Sequence, residues 1–319
     1  MSANSNIWLI VVNVFAASKQ AGSVWKKAAA LLDEAKVQYL VKFTGGAYNA
    51  MELSRRAAQG GYRKFIAVGG DGTIHDVLNG ITQFADSQVD VALSDFTLAV
   101  LPVGSGNDWI RSTGVPRDLN KAVALIASGR TSMQDVVKVS LPDDDSTVSD
   151  IYMANIAGVG LDARVAEIVN RKKERGKRGK MLYVSALLYC IKHRSPIRAK
   201  VICDGEVIFD GKYLSIAFGT GKYSGGGMRQ TPLAIMDDGL LDVTVIPDIS
   251  MWVIARHVPK LFTGTFHKAD VLTQARCREV IVEPYTQADA EPVEVDGEII
   301  GRAPVKFTVL SDQLNIVSE

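Results

Sequence analysis

The sequence has few of the residues that would build a cross-linked or metal-clustered framework. Three cysteines (Cys190, Cys203 and Cys277) in 319 residues are odd in number, far apart along the chain and free of any CxxC pair. That excludes a disulfide scaffold, argues against a zinc site and fits reduced thiols in a cytoplasm. The four histidines are scattered, and neither His257 nor His267 has ligand spacing, so packing or surface roles are expected. Neither charge dominates: 36 basic against 35 acidic residues leave a net +1, which gives no reason to expect a nucleic-acid partner. Apolar runs such as residues 181–191 fall well short of the ~18 residues that would span a bilayer. Residues 1–6 are polar without a basic segment, so no secretory signal is expected. Two nucleotide signatures are missing as well. GxxxxGKS and GxxxxGKT occur nowhere, and no GxGxxG follows the first apolar run, which removes the Walker loop and the Rossmann fingerprint. Internal repeats and low-complexity tails are also lacking.

What is present is an ordinary globular composition, 47% hydrophobic and 22% charged, in a chain long enough for two cores. It is organised around residues 64–80, KFIAVGGDGTIHDVLNG. A β-favouring run at 65–68 breaks into Gly69-Gly70-Asp71-Gly72. Thr73 then opens a segment with apolar residues at Ile74, Val77, Leu78 and Ile81, which is helical spacing. Thr73 with Asp76 predicts a capping box at the start of that helix. A strand, a glycine turn and a capped helix aim backbone N–H groups and the positive end of a helix at one point, which suits phosphate. Asp71 is the odd member. Beside a polyphosphate its carboxylate needs a metal ion, or a hydroxyl to deprotonate.

Around this stretch the pattern is β-α-β-α-β-α-β. Residues 7–12 (IWLIVV), 37–43, 65–68 and 97–101 read as strands. Helices are expected at 23–35, behind Asn49 with Glu52 three residues on, after the glycine turn, and from an Asp118 cap to a Gly129 stop, with a short one ending at Gly114. Such alternation implies a parallel sheet with right-handed crossovers. Its carboxyl edge, where open α/β sheets bind ligands, would gather Asn13, Thr44, residues 69–73 and residues 104–108. The turn LPVGSGND (101–108) follows the glycine turn by one crossover, so the two should face each other across neighbouring strands.

After about residue 132 the texture changes to short β-like runs with turns between them, which predicts an antiparallel sandwich with a helical interruption near 162–194. Domains are therefore expected at 1–131 and 132–319, the last segment being a candidate to pack back on the first. The run from Arg171 to Lys180 (RKKERGKRGK) holds seven basic residues and one acidic. It reads as a solvated loop or as a patch for anionic membrane lipid. The adjacent residues 181–191, with Leu182, Val184, Leu187, Leu188 and Ile191, fit a core stripe or a lipid-tail contact.

GGDGT at 69–73 followed by LPVGSGND at 101–108 resembles the diacylglycerol kinase catalytic-domain family, which includes sphingosine kinases and bacterial lipid kinases. NIAGVGLD (155–162), SGGGM (224–228), DDGLLDV (237–243) and VDGE (295–298) follow in the family's order, so the resemblance covers nearly the whole chain. GGDG also occurs in NAD kinases, but DDGLLDV and the late DGE favour the lipid-kinase branch. The resemblance implies an α/β nucleotide-binding domain with a parallel sheet, a C-terminal antiparallel β-sandwich domain, and an active site in the cleft between them. It further implies transfer of the ATP γ-phosphate, with Mg²⁺, to a hydroxyl of diacylglycerol or a similar membrane lipid, in phospholipid metabolism. The enzyme would work from the cytoplasm, peripherally at the inner face of the membrane.

By the same resemblance Asn13, Thr44, Gly69, Gly70, Asp71, Gly72, Thr73, Gly104, Ser105, Gly106, Asn107 and Asp108 would bind ATP. Asp71 would work through Mg²⁺ and water, or on the acceptor hydroxyl. Asp296 would be the general base, with Glu298 its acidic companion. Asp238, with the carbonyls of Ile235 and Leu240, would hold a second metal ion. The chain departs from the family pattern at Val14, where proline usually follows Asn13, at His75 and Asp76 in place of Asn and Glu, and at Thr220 in place of Asn. Read as residues alone, Asp237-Asp238-Gly239 and Asp296-Gly297 are also ordinary turn sequences. Two further functions stay open: a kinase of a soluble hydroxyl, like NAD kinase, and a nucleotide- or lipid-binding regulator without turnover. The acceptor lipid and the oligomeric state, a homodimer included, are not readable from the sequence.

Overall fold

The computed structural model describes residues 4–16, 21–45, 49–104, 106–141, 150–175, 180–193, 195 and 197–319. The chain divides into two compact units, residues 1–136 with 311–319, and residues 137–310.

The first unit runs β1 (Trp8–Val12), α1 (Ala21–Glu34), β2 (Tyr39–Phe43), α2 (Ala50–Gln59), β3 (Lys64–Gly69), α3 (Asp71–Asp86), β4 (Thr97–Pro102), α4 (Asp108–Thr113), α5 (Leu119–Ser128) and β5 (Thr131–Gln134). Its sheet has the order β2-β1-β3-β4, then the C-terminal strand Leu314–Val317, then β5. All neighbours are parallel except the C-terminal strand and β5. β1, β3 and β4 are buried almost throughout, as unbroken apolar runs must be when helices cover both faces. Ile10, Val12, Ile66, Val68, Ala99 and Leu101 point to the side where Trp25, Ala28 and Leu32 of α1 meet Ala122 and Ile126 of α5. On the other side α2 and α3 pack together. Gly80 sets that approach, because a Cβ there would lie 2.2 Å from the Met51 carbonyl oxygen. The caps expected at Asn49 and Asp118 form, accepting from the N–H groups of Glu52 and Lys121 at 2.9 and 3.0 Å. The first unit extends to residue 136 rather than 131, because β5 completes this sheet by pairing with the C-terminal strand.

The second unit runs β6 (Val137–Ser140), β7 (Ile151–Met153), β8 (Ile156–Gly160), α6 (Leu161–Glu174), α7 (Lys180–Lys192), β9 (Ile197–Cys203), β10 (Glu206–Gly219), β11 (Tyr223–Ser224), β12 (Met228–Arg229), β13 (Leu241–Pro247), α8 (Met251–Thr263), β14 (Thr273–Cys277), β15 (Glu279–Pro284), β16 (Pro292–Val295), β17 (Glu298–Arg302) and β18 (Val305–Val309). It is an antiparallel sandwich whose two layers share the 14-residue β10. The first half of β10 pairs with β9, and its second half pairs with β8 and β13. Alternating residues such as Ile216, Val243, Val280 and Val293 fill the core, where the rings of Phe218 and Phe307 stack at 4.3 Å. The thiols of Cys203 and Cys277, 74 positions apart, share a hydrogen bond in this core, while all three cysteines remain free. α6, α7 and α8 cover an outer face through Leu161, Val165, Ala186, Ile191, Leu214 and Ile254. Among the described residues no helix is long and apolar enough to cross a membrane.

The α2–α3 crossing gives a direct test of the first unit's packing. Gly80→Ala should cost about 1–3 kcal/mol, as overpacking does. It should appear as a lower denaturant midpoint with an unchanged slope.

Candidate active site

One register line crosses the parallel sheet. Val12 pairs with Phe43 on one side and Val68 on the other, and Val68 pairs with Leu101. The residues that follow, Asn13, Thr44, Gly69 and Pro102, therefore line up along the carboxyl edge, where β1 and β2 have ended and Gly69 and Pro102 form the last pair of β3 and β4. Between β1 and β3 the crossovers diverge, which opens a crevice at the carboxyl edge. Here the Asn13 side chain donates to Thr73 Oγ1 at 3.0 Å, and its own Oδ1 accepts from the Phe15 N–H at 3.0 Å. Thr44 Oγ1 accepts from the Val14 N–H at 3.3 Å and donates to Asn13 Oδ1 at 3.5 Å. Thr73 is thus part of a polar triangle and not a helix cap. α3 begins two residues earlier, behind Gly70, whose backbone carbonyl takes the Thr73 N–H at 2.9 Å. Only glycine fits at 69, since a Cβ would lie 2.2 Å from Thr73 Oγ1.

Asp71 joins this turn to the next one. Its Oδ2 accepts the N–H of Asp108 and its Oδ1 the N–H of Trp109, each at 3.1 Å. A carboxylate in the first turn of α3 therefore caps the start of α4. Gly106 lies against the same carboxylate, where a Cβ would come within 3.3 Å of Oδ2. Asn107 takes the left-handed conformation (φ 52°) and donates to the Gly104 carbonyl at 3.3 Å. Its Oδ1 is buried without a hydrogen-bond partner among the described residues, an acceptor that suits a donor on a bound molecule. Arg117 donates to the Gly106 carbonyl at 2.7 Å, and Asp108 pairs with Arg111 at 3.4 Å. Ser105 lies outside the described residues. His75, one of the departures from the family pattern, is turned into the buried face of α3.

In the second unit Asp296 (φ 52°) and Gly297 (φ 93°) form the two-residue hairpin turn between β16 and β17. The Asp296 carboxylate accepts the N–H groups of Ala154, Asn155 and Ile156 at 2.9, 2.9 and 3.2 Å. The Asn155 carbonyl takes the N–H groups of Thr220 and Gly221, and its side chain donates to the Tyr223 carbonyl. Thr220 is buried there, with its hydroxyl donating to the Ala154 carbonyl. Glu298 stands exposed at the start of β17. The residue that supports the turn is Glu294, which sequence reasoning missed: buried under α6, it accepts the Gly297 N–H at 2.7 Å.

Burial pushes the Glu294 carboxyl well above the usual range, and the negative charge of Asp162 adds to the effect. Burial also raises Asp162, against the hydrogen bonds it accepts from Ser215 at 2.6 Å and Gln230 at 2.8 Å. Gly158 leaves room for both carboxyls, its Cβ position being 2.8 Å from Asp162 Cβ and 3.2 Å from Glu294 Oε1. Asp162, Ser215 and Gln230, with Thr244 and His257, are the polar residues in the wall of a largely apolar cavity. It is a narrow cavity of about 60 Å³ that opens to solvent, against Leu187 and Ile191 of α7 and Ile254 and Val258 of α8.

At the position the resemblance assigns to a second metal ion, an arginine of the chain meets the carboxylate. Asp238 accepts the Leu240 N–H through Oδ1, and its Oδ2 is bound by the Arg276 guanidinium. The same guanidinium reaches Asp242 at 3.1 Å. A cation supplied by the chain already neutralises the carboxylate, and Ile235 is nearly half exposed beside it. Among the described residues no group of three or more His, Cys, Asp or Glu could hold a metal ion.

Two outcomes follow. Added Mg²⁺ should leave the thermal midpoint of the wild type unchanged through this site, whereas Arg276→Ala, with two carboxylates released, should be stabilised by Mg²⁺ in a calorimetric scan. The raised Glu294 pKa means that the folded state holds a proton the unfolded chain releases above about pH 4.5. Its contribution is present below that range and is lost as pH rises through the folded value. Glu294→Gln, which keeps an acceptor for Gly297, should flatten the fall in midpoint as pH rises above about 4.5.

Comparison with known proteins places this geometry. Residues 7–139 match the diacylglycerol kinase catalytic domain, and residues 155–318 match the YegS C-terminal NAD kinase beta sandwich-like domain. A protein of Stenotrophomonas maltophilia named "Probable lipid kinase YegS-like" is 31% identical over 265 residues, covering 81% of this chain and 82% of that one. The diacylglycerol kinase of Mycobacterium tuberculosis is 28% identical over 283 residues, with coverage of 87% and 84%. In fold, the crystal structure of a diacylglycerol kinase from Bacillus anthracis superposes with a TM-score of 0.72 at 20% identity, covering 100% of this chain and 98% of that one.

Proposed function

We propose that this chain, which belongs to the YegS-like branch of the diacylglycerol kinase family and is a lipid kinase, passes the γ-phosphoryl group of MgATP to a hydroxyl of diacylglycerol or a similar membrane lipid. The observation that carries the proposal is the interlock at Asp71, which fixes two glycine turns side by side at the sheet edge. Phosphoryl transfer asks for charge neutralisation around the phosphates and a positioned hydroxyl more than for covalent chemistry. The nucleotide is assigned to the first unit, held by Asn13, Thr44, Gly69, Gly70, Gly72, Thr73, Gly104, Ser105, Gly106, Asn107 and Asp108. Mg²⁺ arrives as the counter-ion of its phosphates. Asp71 orders the two turns and would be the carboxylate that meets the Mg²⁺ of a bound nucleotide. The acceptor lipid is assigned to the second unit, with Asp296 taking the proton of the attacking hydroxyl while ADP leaves with the bonding pair. Glu298 adds negative charge beside that turn. The apolar cavity under α7 and α8 favours an acyl-bearing acceptor over a soluble one.

The test is transfer from ATP labelled at its γ-phosphate to diacylglycerol, phosphatidylglycerol, a sphingoid base and ceramide. One of these should become labelled. Asp296→Asn and Asp71→Asn should each lower kcat by about 10²–10⁴-fold, with the fold retained by circular dichroism. No label on any lipid would remove the proposal. Label on NAD without lipid would point to a soluble acceptor, and ATP binding without transfer to a regulator.

A further inference from the structure

α7 and α8 each have one face in the core and another that none of the described residues covers. On α7, Leu182, Tyr183, Ala186, Leu187 and Ile191 pack inward against α6 and α8. Its other face repeats at i, i+3 and i+7 with Met181 (75% exposed), Val184 and Leu188 (62%), and Tyr189 (56%) lies beside them. On α8, Ile254 and Val258 pack inward, while Trp252 (87%) and Phe262 (52%) stand in solvent. Large side chains exposed in this number, on helices that share one core cluster, mark a surface that meets a partner.

Charge says which partner. Neither helix carries an aspartate or glutamate, while Lys180, Lys192, Arg256 and Lys260 lie on them. α6, which packs on α7, carries Arg171 and Lys172 in its last turn with Arg175 just beyond it, and Arg171 is paired with Glu167 at 2.6 Å. An apolar face rimmed by cations is complementary to an anionic lipid surface, where Trp and Tyr settle at the headgroup level and lysine stems reach outward. A second copy of the chain would set the same cations against each other in an isologous contact. The cavity wall adds a reason for this placement. Leu187 and Ile191 of α7 and Ile254 and Leu261 of α8 line the cavity on their inner side.

We infer that the exposed faces of α7 and α8 are the membrane-docking surface of the enzyme, seating Trp252, Met181, Leu188 and Tyr189 in an anionic leaflet so that lipid reaches the cavity those helices wall. This rests on the lipid-kinase assignment, and the experiment separates the two. Sedimentation with phosphatidylcholine vesicles, with and without phosphatidylglycerol, reads docking without catalysis. Transfer to a water-soluble short-chain diacylglycerol reads catalysis without docking. The wild type should bind the phosphatidylglycerol vesicles, and salt should weaken that binding. The double variant Trp252→Ser/Leu188→Ser should bind at least about tenfold more weakly. It should keep its rate on the soluble substrate and lose rate on vesicle-borne diacylglycerol. Trp252→Phe should retain most of the binding. Vesicle binding by the double variant equal to that of the wild type overturns the proposal. So does a wild-type dimer in gel filtration that the double variant converts to monomer, since the face would then join two copies. Face-dependent vesicle binding with no transfer to any lipid would sustain docking and remove the proposed reaction.

Discussion

The N–H groups of Asp108 and Trp109 both end on the carboxylate of Asp71, so a negative charge ties the first turns of α3 and α4 together. Hydrogen bonds to a charged group contribute about 1.5–3 kcal/mol each, more than neutral ones. The rest of the sheet edge conforms to this tie. Gly106 lies close against the carboxylate, where a Cβ would be a tight contact, and Asn107 turns left-handed ahead of the two N–H groups that reach it. Gly69 must be bare to let Thr73 come down onto Asn13. An aspartate that looks misplaced beside phosphate is therefore also a structural charge, compensated by backbone N–H groups before any nucleotide arrives.

The second unit uses the same device with a different topology. Three successive N–H groups converge on Asp296, which a two-residue hairpin holds in place, and Glu294 grips the far side of that hairpin. Where the chain has an arginine to spare it uses that instead, as Arg276 does between Asp238 and Asp242. The deeper carboxyls, Asp162 and Glu294, have no cation against them among the described residues, and burial keeps them towards the neutral form. One family of acidic residues thus divides into charged anchors at turns and near-neutral groups under α6.

Much of this was readable before the fold was known, for a physical reason. A strand buried on both faces must be apolar throughout, so β1, β3 and β4 announce themselves, and parallel order then places their carboxyl ends on one edge. Helix caps at Asn49 and Asp118 are local and were equally plain. Thr73 misled because its hydroxyl serves a residue 60 positions away, a contact no local pattern encodes. Glu294 sits between Val293 and Val295, and such alternation reads as a solvent-facing residue, because nothing local says that α6 lies over that face. Arg276 is 38 positions from Asp238, so the turn sequence resembles a metal loop until β14 pairs with β13. The outer faces of α7 and α8 were hidden for the opposite reason: an apolar helix gives no sign of which side will remain uncovered.

The C-terminal strand has a consequence for synthesis. It lies between β4 and β5, yet all of residues 137–310 are made before it. During translation β4 therefore waits with an open edge, and β5 has no sheet to join, until residues 314–317 leave the ribosome. Open parallel edges recruit foreign strands and bind chaperones, so the interval in which the second unit folds is also the interval in which the first is most exposed to misassembly. Termination before residue 314 would release a chain that has every loop of its nucleotide edge but cannot close the sheet beneath it.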